Sequence, residues 1–312
     1  YFYSSKTRDY YLHNYIFQMN ESIIDGKSTI WFSTKKGLKK LESGGIKCFL
    51  VDGKPSANSF VQSVLAVNGK NPYILMGSEM GLHFFDPVSE TFTKFLSNYD
   101  DAGNLSHSAV TALYVDRGGV LWAGTKKGLN KYDSYSKDFE VYKTATFDKS
   151  KSIITGIQGS SKNGYWISTI GGGLYRLKDD TFQHLSVNDQ ANAFTNFIKT
   201  LFVDTRGNVW LGTDGAGVYR FNEKTLLGKS KTIKEFDHFL THSSSPINDD
   251  FIMSIEEDYR GNIWVGTWNG GLNKITTGGK VVQYNQPELK NAPLVVMHAD
   301  LSDVLWVGTR GN

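Results

Sequence analysis

The stretch Asp258-Tyr259-Arg260-Gly261-Asn262-Ile263-Trp264-Val265-Gly266-Thr267-Trp268-Asn269-Gly270-Gly271-Leu272-Asn273-Lys274 decides the fold. An Asp able to bond turn amides and a Gly free to take positive φ make residues 258–262 a tight turn, so residues 263–267 read as a strand. Residues 268–271 form a second turn, and residues 272–275 the next strand. Working outward, residues 251–255 alternate as an inner strand, and residues 281–284 supply an outer one. Four short strands without helical periodicity make one small sheet, which must bury its faces against neighbours.

Those neighbours are copies of itself. Trp31-Phe32-Ser33-Thr34, Trp122-Ala123-Gly124-Thr125, Trp166-Ile167-Ser168-Thr169, Trp210-Leu211-Gly212-Thr213 and Trp306-Val307-Gly308-Thr309 repeat Trp264-Val265-Gly266-Thr267, and Leu75-Met76-Gly77-Ser78 is a worn copy. Successive copies stand 44, 47, 44, 44, 54 and 42 residues apart. Four-stranded propeller blades run about 40–50 residues. Later strands recur too, as Gly128-Leu129-Asn130-Lys131-Tyr132 before Phe139-Glu140-Val141-Tyr142, and Gly217-Val218-Tyr219-Arg220-Phe221 before Phe236-Asp237-His238-Phe239.

The pattern predicts an all-β, seven-bladed β-propeller of four-stranded blades, one domain over residues 1–312. The Trp fills the wedge between blades, and the Gly or Ser two positions later lets the next blade approach. The seventh copy stops at Asn312, before its third strand, so Tyr1-Phe2-Tyr3 is expected to supply an outer strand to that blade and close the ring. Tyr1 in place of an initiator Met suits a segment of a longer protein. Unit two carries Leu75 and Ser78, unit four has Gly159-Ser160-Ser161-Lys162-Asn163-Gly164 in place of the Asp turn, and unit six is expected to have an enlarged outer-strand loop.

Composition narrows the function. With 34 Lys and Arg against 31 Asp and Glu, the net charge of +3 gives no large field of one sign, which argues against nucleic acid as a partner. Gly supplies 32 of 312 residues, about a tenth against a usual 7%, as many tight turns require. Cys48 stands alone, so there is neither an intrachain disulfide nor a Cys-based metal framework. No apolar run reaches the length of a membrane-spanning helix, so any membrane attachment would come through other segments.

The repeat quoted at the start resembles that of the two-component regulator propellers, and the likeness extends over nearly the whole chain, since six of seven units carry the Trp. The resemblance implies an extracytoplasmic, periplasmic sensor region of an inner-membrane hybrid two-component receptor of Bacteroidetes type. It implies a glycan fragment as ligand, with a second propeller, an immunoglobulin-like domain, a transmembrane helix and a histidine kinase elsewhere in the parent protein, and a second copy of the chain as a further partner. Kinase activity does not follow for these residues.

No catalytic constellation, cofactor fingerprint or metal site emerges. The carboxylate pairs Asp100-Asp101, Asp179-Asp180, Asp249-Asp250 and Glu256-Glu257 are adjacent in sequence, and adjacent strand residues face opposite sides, whereas glycoside hydrolysis needs two carboxyls across a substrate. The seven His are scattered without metal-ligand spacing. Asp204-Thr205-Arg206-Gly207-Asn208 reads as a turn staple.

Residues that depart from the repeat carry the ligand-binding expectation. Trp268 is the one Trp outside the motif, in the turn between second and third strands, where an exposed ring can stack on a sugar. Asn269 neighbours it, and equivalent turns hold Lys35 and Lys36, Lys126 and Lys127, Asp214, and Arg310. The loops leading into inner strands add His107, Asn192 and Asp250. Three cationic turns suit an acidic oligosaccharide, through charge-assisted bonds to carboxylate or sulfate. The rival functions are a propeller-fold polysaccharide lyase or glycosidase and a protein-interaction scaffold.

Overall fold

A computed structural model describes residues 15–24, 26–42, 45–51, 60–69, 71–95, 104–133, 138–143, 153–160, 163–187, 196–222, 224, 232–284, 286–289 and 292–310. Every regular element among them is a strand.

Blade 1 is β1 (Ile16–Ile24), β2 (Lys27–Thr34), β3 (Gly37–Glu42) and β4 (Gly45–Phe49); blade 2 is β5 (Val61–Val67), β6 (Tyr73–Ser78), β7 (Gly81–Asp86) and β8 (Thr91–Phe95). Blade 3 is β9 (Val110–Val115), β10 (Leu121–Thr125), β11 (Gly128–Asp133) and β12 (Asp138–Lys143). Blade 4 is β13 (Ile153–Ser160), β14 (Gly164–Ile170), β15 (Gly173–Lys178) and β16 (Thr181–Val187). Blade 5 is β17 (Ile198–Val203), β18 (Asn208–Thr213), β19 (Val218–Asn222) and β21 (Asp237–Phe239), with β20 (Thr232–Ile233) between the last two. Blade 6 is β22 (Ile252–Glu257), β23 (Ile263–Thr267), β24 (Leu272–Ile275) and β25 (Val281–Tyr284), and a last sheet holds β26 (Leu294–Ala299) and β27 (Leu305–Thr309). Within each blade, consecutive strands pair antiparallel.

The protein is therefore an all-β propeller of four-stranded blades, with six blades complete among the described residues where seven were expected. The seventh sheet has two strands among the described residues, the inner and second strands of the copy that carries Trp306. Residues 1–3, expected to complete it, lie outside the described residues. What is seen nearby is an antiparallel bridge between Tyr15 and Arg310, the kind that also links Asp214 to Phe251 and Ile170 to Phe197.

The enlarged outer loop belongs to blade 5, not to the sixth unit. It lies between β19 and β21, and β20 within it pairs parallel to β16, Ser186 with Thr232 and Val187 with Ile233, as a fifth strand of blade 4's sheet.

Two compact units divide the chain, Tyr1–Lys143 with Gly308–Asn312, and Thr144–Val307. In the first, Trp31, Leu38, Val61, Val64, Ile74, Met76 and Phe85 form the core where blades 1 and 2 meet, and Leu75, Leu82, Val110, Leu113 and Ala123 the next. In the second, Trp166 packs with Leu201, Val209 and Tyr219, and Trp210 with Ile252, Ile255 and Val265.

The small residue two places after the Trp does what its position predicts. A Cβ on Gly212 would lie 2.5 Å from Ile252 Cγ2 of the next blade, and one on Gly266 would lie 2.8 Å from the Leu294 carbonyl. Either clash is with an adjacent blade.

Candidate functional site

The turns between second and third strands are built by one hydroxyl. Thr34, Ser78, Thr125, Thr169, Thr213 and Thr267 each donate their side-chain O–H to the carbonyl of the Gly that ends the turn, at 2.8–3.1 Å. In most of them the same oxygen accepts a turn amide, as from Lys127 at 3.1 Å and Gly270 at 3.0 Å. Ser78 of the worn copy keeps this chemistry, with bonds to Gly81 and Met80. The turns of blades 1 to 3 hold two residues between hydroxyl and Gly, and those of blades 4 to 6 hold three.

In the first unit the cations are mostly engaged. Lys126 Nζ lies 2.9 Å from Glu79, whose carboxylate also accepts from Gln62 Nε2 at 2.7 Å. Tyr15 carries two cations on its ring, Lys35 Nζ at 3.9 Å and the Arg310 guanidinium at 4.6 Å from the centroid. Lys36 is half-buried and Lys127 exposed. His107 Nδ1 accepts the Ala109 N–H at 2.9 Å, which requires that nitrogen to be unprotonated. Burial, then the charges of Lys127 and Lys126, hold the His107 pKa below its ordinary value. The acidic-ligand reading thus rests on the exposed Lys127 more than on Lys35, Lys126 or Arg310.

The second unit holds the aromatic residues. Trp268 is half-buried, not exposed, and its backbone N–H donates to the Phe251 carbonyl at 2.9 Å. Phe251, which opens blade 6, is 48% exposed and bridges Asp214 of blade 5's turn. A Cβ on Gly215 would stand 3.3 Å from the Phe251 ring, so this Gly lets the ring lie over the turn. Asp214 Oδ2 lies 3.5 Å from Lys199 Nζ. Asn269 is exposed, and its N–H donates to Asp249 Oδ2 at 2.8 Å, while Asp249 Oδ1 accepts the Phe251 N–H at 3.1 Å.

Asp250 is committed elsewhere, accepting the Thr241 N–H at 2.8 Å and its hydroxyl at 3.0 Å. It anchors the turn at 240–247. Asn192 lies outside the described residues. Phe251, Asp249 and Lys199 were not expected at this face from the sequence. Phe251 reads there as an ordinary inner-strand apolar residue, whereas in the structure it stands just before β22, bridged to Asp214 and half-exposed.

The opposite ends of the blades carry the Asp turns. Asp204, Asp258 and Asp300 each accept the indole N–H of the Trp six residues on, at 3.0, 2.9 and 2.7 Å, and each also takes two turn amides. Asp204 is a turn staple, as its sequence suggests, and its Trp bond adds a second function to the same carboxylate. Among the described residues no group of His, Cys, Asp and Glu is arranged to hold a metal ion, and no helix is long and apolar enough to cross a membrane.

Comparison with known proteins follows this geometry. The family described as two component regulator propeller matches residues 104–127, 193–215 and 246–269. Each match runs from the loop before an inner strand, through the Asp turn, to the turn after the second strand. The extracellular domain of a protein described as a hybrid two component system from B. thetaiotaomicron superposes with a TM-score of 0.73 at 21% identity, over 96% of this chain and 39% of that one. That of a one component system from the same organism gives 0.74 at 20%, over 97% and 38%. Virginiamycin B lyase from Staphylococcus aureus, crystallised as an inactive variant with quinupristin, gives 0.69 at 11%, over 95% and 92%. The chain thus spans about two fifths of the first two structures. No curated protein sequence matches it. The likenesses establish the propeller fold, and within blades 3, 5 and 6 the inner strand, Asp turn and second strand match the two component regulator propeller repeat.

Proposed function

We propose that this chain is a non-catalytic ligand-sensing propeller from the periplasmic part of a signalling receptor, that it binds an oligosaccharide fragment, and that it passes the binding event to a kinase elsewhere in the parent protein. The repeats and the extracellular hybrid-system domains among its structural neighbours support the receptor setting. One observation carries the ligand class. Phe251 presents a half-exposed ring framed by the turns of Asp214 and Trp268, with Lys199 and Asn269 beside it. A flat apolar surface edged by hydrogen-bonding groups is the surface a sugar ring needs, one face stacked and its hydroxyls held at the rim.

The test is calorimetric titration with a panel of neutral and acidic oligosaccharides, alongside an assay for new reducing ends or unsaturated products. Saturable binding without product release is the expected result. Product release would replace this reading with the lyase or glycosidase one. Absence of binding across the panel, together with capture of a parent-protein segment, would favour the scaffold.

A further inference from the structure

Three inner strands place a polar side chain across from the repeat Trp and extend it to the next blade. Asn20 pairs with Trp31, and its Oδ1 accepts the Ala66 N–H at 3.0 Å. Gln158 pairs with Trp166, and its Oε1 accepts the Val203 N–H at 2.6 Å. Glu256 pairs with Trp264, and its Oε1 accepts the Ala299 N–H at 3.3 Å. The donors are themselves equivalent, each near the end of the following inner strand. Two of these bridges are amides, uncharged at any ordinary pH. The third is a carboxyl, which matches an amide in shape and charge only while it holds its proton.

We propose that Glu256 is a proton-operated clasp between blade 6 and β26: protonated, it joins the two inner strands as Asn20 and Gln158 do, and ionised, it loosens the seam. The ionised form is the costly one because its charge is largely withdrawn from water. Burial, with the neighbouring charge of Glu257 in the same sense, pushes the Glu256 carboxyl up to about 8 against the opposing bond from Ala299. The side chain remains 22% exposed, so its proton can exchange with solvent.

The titratable groups around it are few. His298 on β26 has Nδ1 3.7 Å from Glu256 Oε1, Glu257 is adjacent on β22 and is bonded to Thr205, and β23 presents the non-titrating Trp264. Asp258, Arg260, Lys274 and Asp303 line a cavity of about 190 Å³ whose wall includes Trp264 and Ala299, the residues on either side of the clasp, and Arg260 is paired with Asp303 at 2.9 Å. Space for water therefore lies beside the seam, and an ionised carboxylate, although the better acceptor for Ala299, regains its hydration by parting the strands toward that space.

The sign follows from linkage. A carboxyl whose closed-state pKa is raised stabilises the closed seam fully below its open-state pKa and loses that contribution as pH climbs toward 8. The experiment is hydrogen exchange on the whole chain, reading the amides of residues 294–299 against those of residues 263–267 as an internal reference for base catalysis. In the unsubstituted chain the relative protection of 294–299 should fall with pH, by up to roughly tenfold per unit between about pH 5 and 7.5. Glu256→Gln should abolish this slope while keeping protection high, and His298→Asn should retain it. A flat profile in the unsubstituted chain, a slope that survives Glu256→Gln, or a slope lost with His298→Asn would each overturn the clasp.

Discussion

Lys274 Nζ lies 4.9 Å from the centroid of the Trp264 ring, and the two residues face each other across β23 and β24. The relationship recurs in register: Lys40 stands over Trp31, Lys131 over Trp122, Arg176 over Trp166 and Arg220 over Trp210, at 5.0–5.8 Å. In blade 2 Leu75 faces Phe84, so ring and cation are replaced together by an apolar pair. Trp31, Trp166, Trp210 and Trp264 thus each meet a cation as well as the core of the following blade, and the long Lys or Arg stem covers the ring.

Removing the ring should cost far more than removing the charge. Trp210→Ala, at a side chain 1% exposed, is expected to lose about 3–5 kcal/mol in urea unfolding. Lys274→Met, which keeps the apolar stem over the ring, should lose only about 1 kcal/mol, the worth of a half-buried cation shared between the ring and Asp258. Comparable losses in the two variants would show that the wedge is not what the ring fills.

The carboxylate beneath the ring is the second test. Asp204→Ala strands the Trp210 indole N–H together with the amides of Arg206 and Asn208, so about 2–3 kcal/mol should be lost. Asp258→Ala should cost less, since Trp264 is only half-buried and water can reach its N–H. Chemical unfolding of both variants measures the difference, and equal losses would show that burial does not decide it.

Acid should act through the same turns. Burial pushes the Asp258 and Asp300 carboxyls up, but bonds from Asn262, Trp264 and Arg260 to the first, and from Trp306, Val304 and Ser302 to the second, outweigh it and leave both below the usual value. A depressed carboxyl stabilises the fold above its unfolded pKa and ceases to do so as pH falls through the folded one. Thermal midpoints should therefore drop below about pH 4, and the Asp258→Asn, Asp300→Asn double variant should show a shallower drop. An unchanged slope would place the acid-sensitive groups elsewhere.

Ligand binding should divide along the two units. Phe251→Ala and Trp268→Ala are expected to weaken oligosaccharide binding by about 2 kcal/mol or more, as hot-spot rings do. Phe251→Ala should leave the melting temperature nearly unchanged, whereas Trp268→Ala, being half-buried, should lower it somewhat. Lys127→Ala should matter only for an acidic ligand, and less as salt is added. Calorimetry at two ionic strengths checks all three, and full affinity in both aromatic variants would remove this face from consideration.

Most of the architecture was legible because a Trp at a near-constant interval, followed by a small residue, has few physical meanings, and strands β22 to β25 fall where alternation and turn residues put them. The Thr staple was not, since a hydroxyl looks alike whether it bonds its own turn or merely fills a β position. The cation over each Trp escaped for a related reason: Lys274 and Trp264 are ten residues apart in sequence and meet only through register. Site residues were read least well. Asp250 resembles a free ligand group until Thr241 is folded onto it, and Phe251 resembles core until the fold places it ahead of β22 with its ring half-exposed.

Two residues, Thr232 and Ile233, give blade 5 a hold on its predecessor. They leave the chain of one blade to extend the sheet of another, and Ile233 is 1% exposed in the core that contains Trp166 and Tyr219. Repeat arrays are held by interfaces between nearest neighbours, so a module can come away when its own interface yields. Here a backbone strap crosses the boundary, so blade 5 cannot unravel from its outer edge without stripping the margin of blade 4. Under force or during proteolysis the pair should yield in a single step of double size.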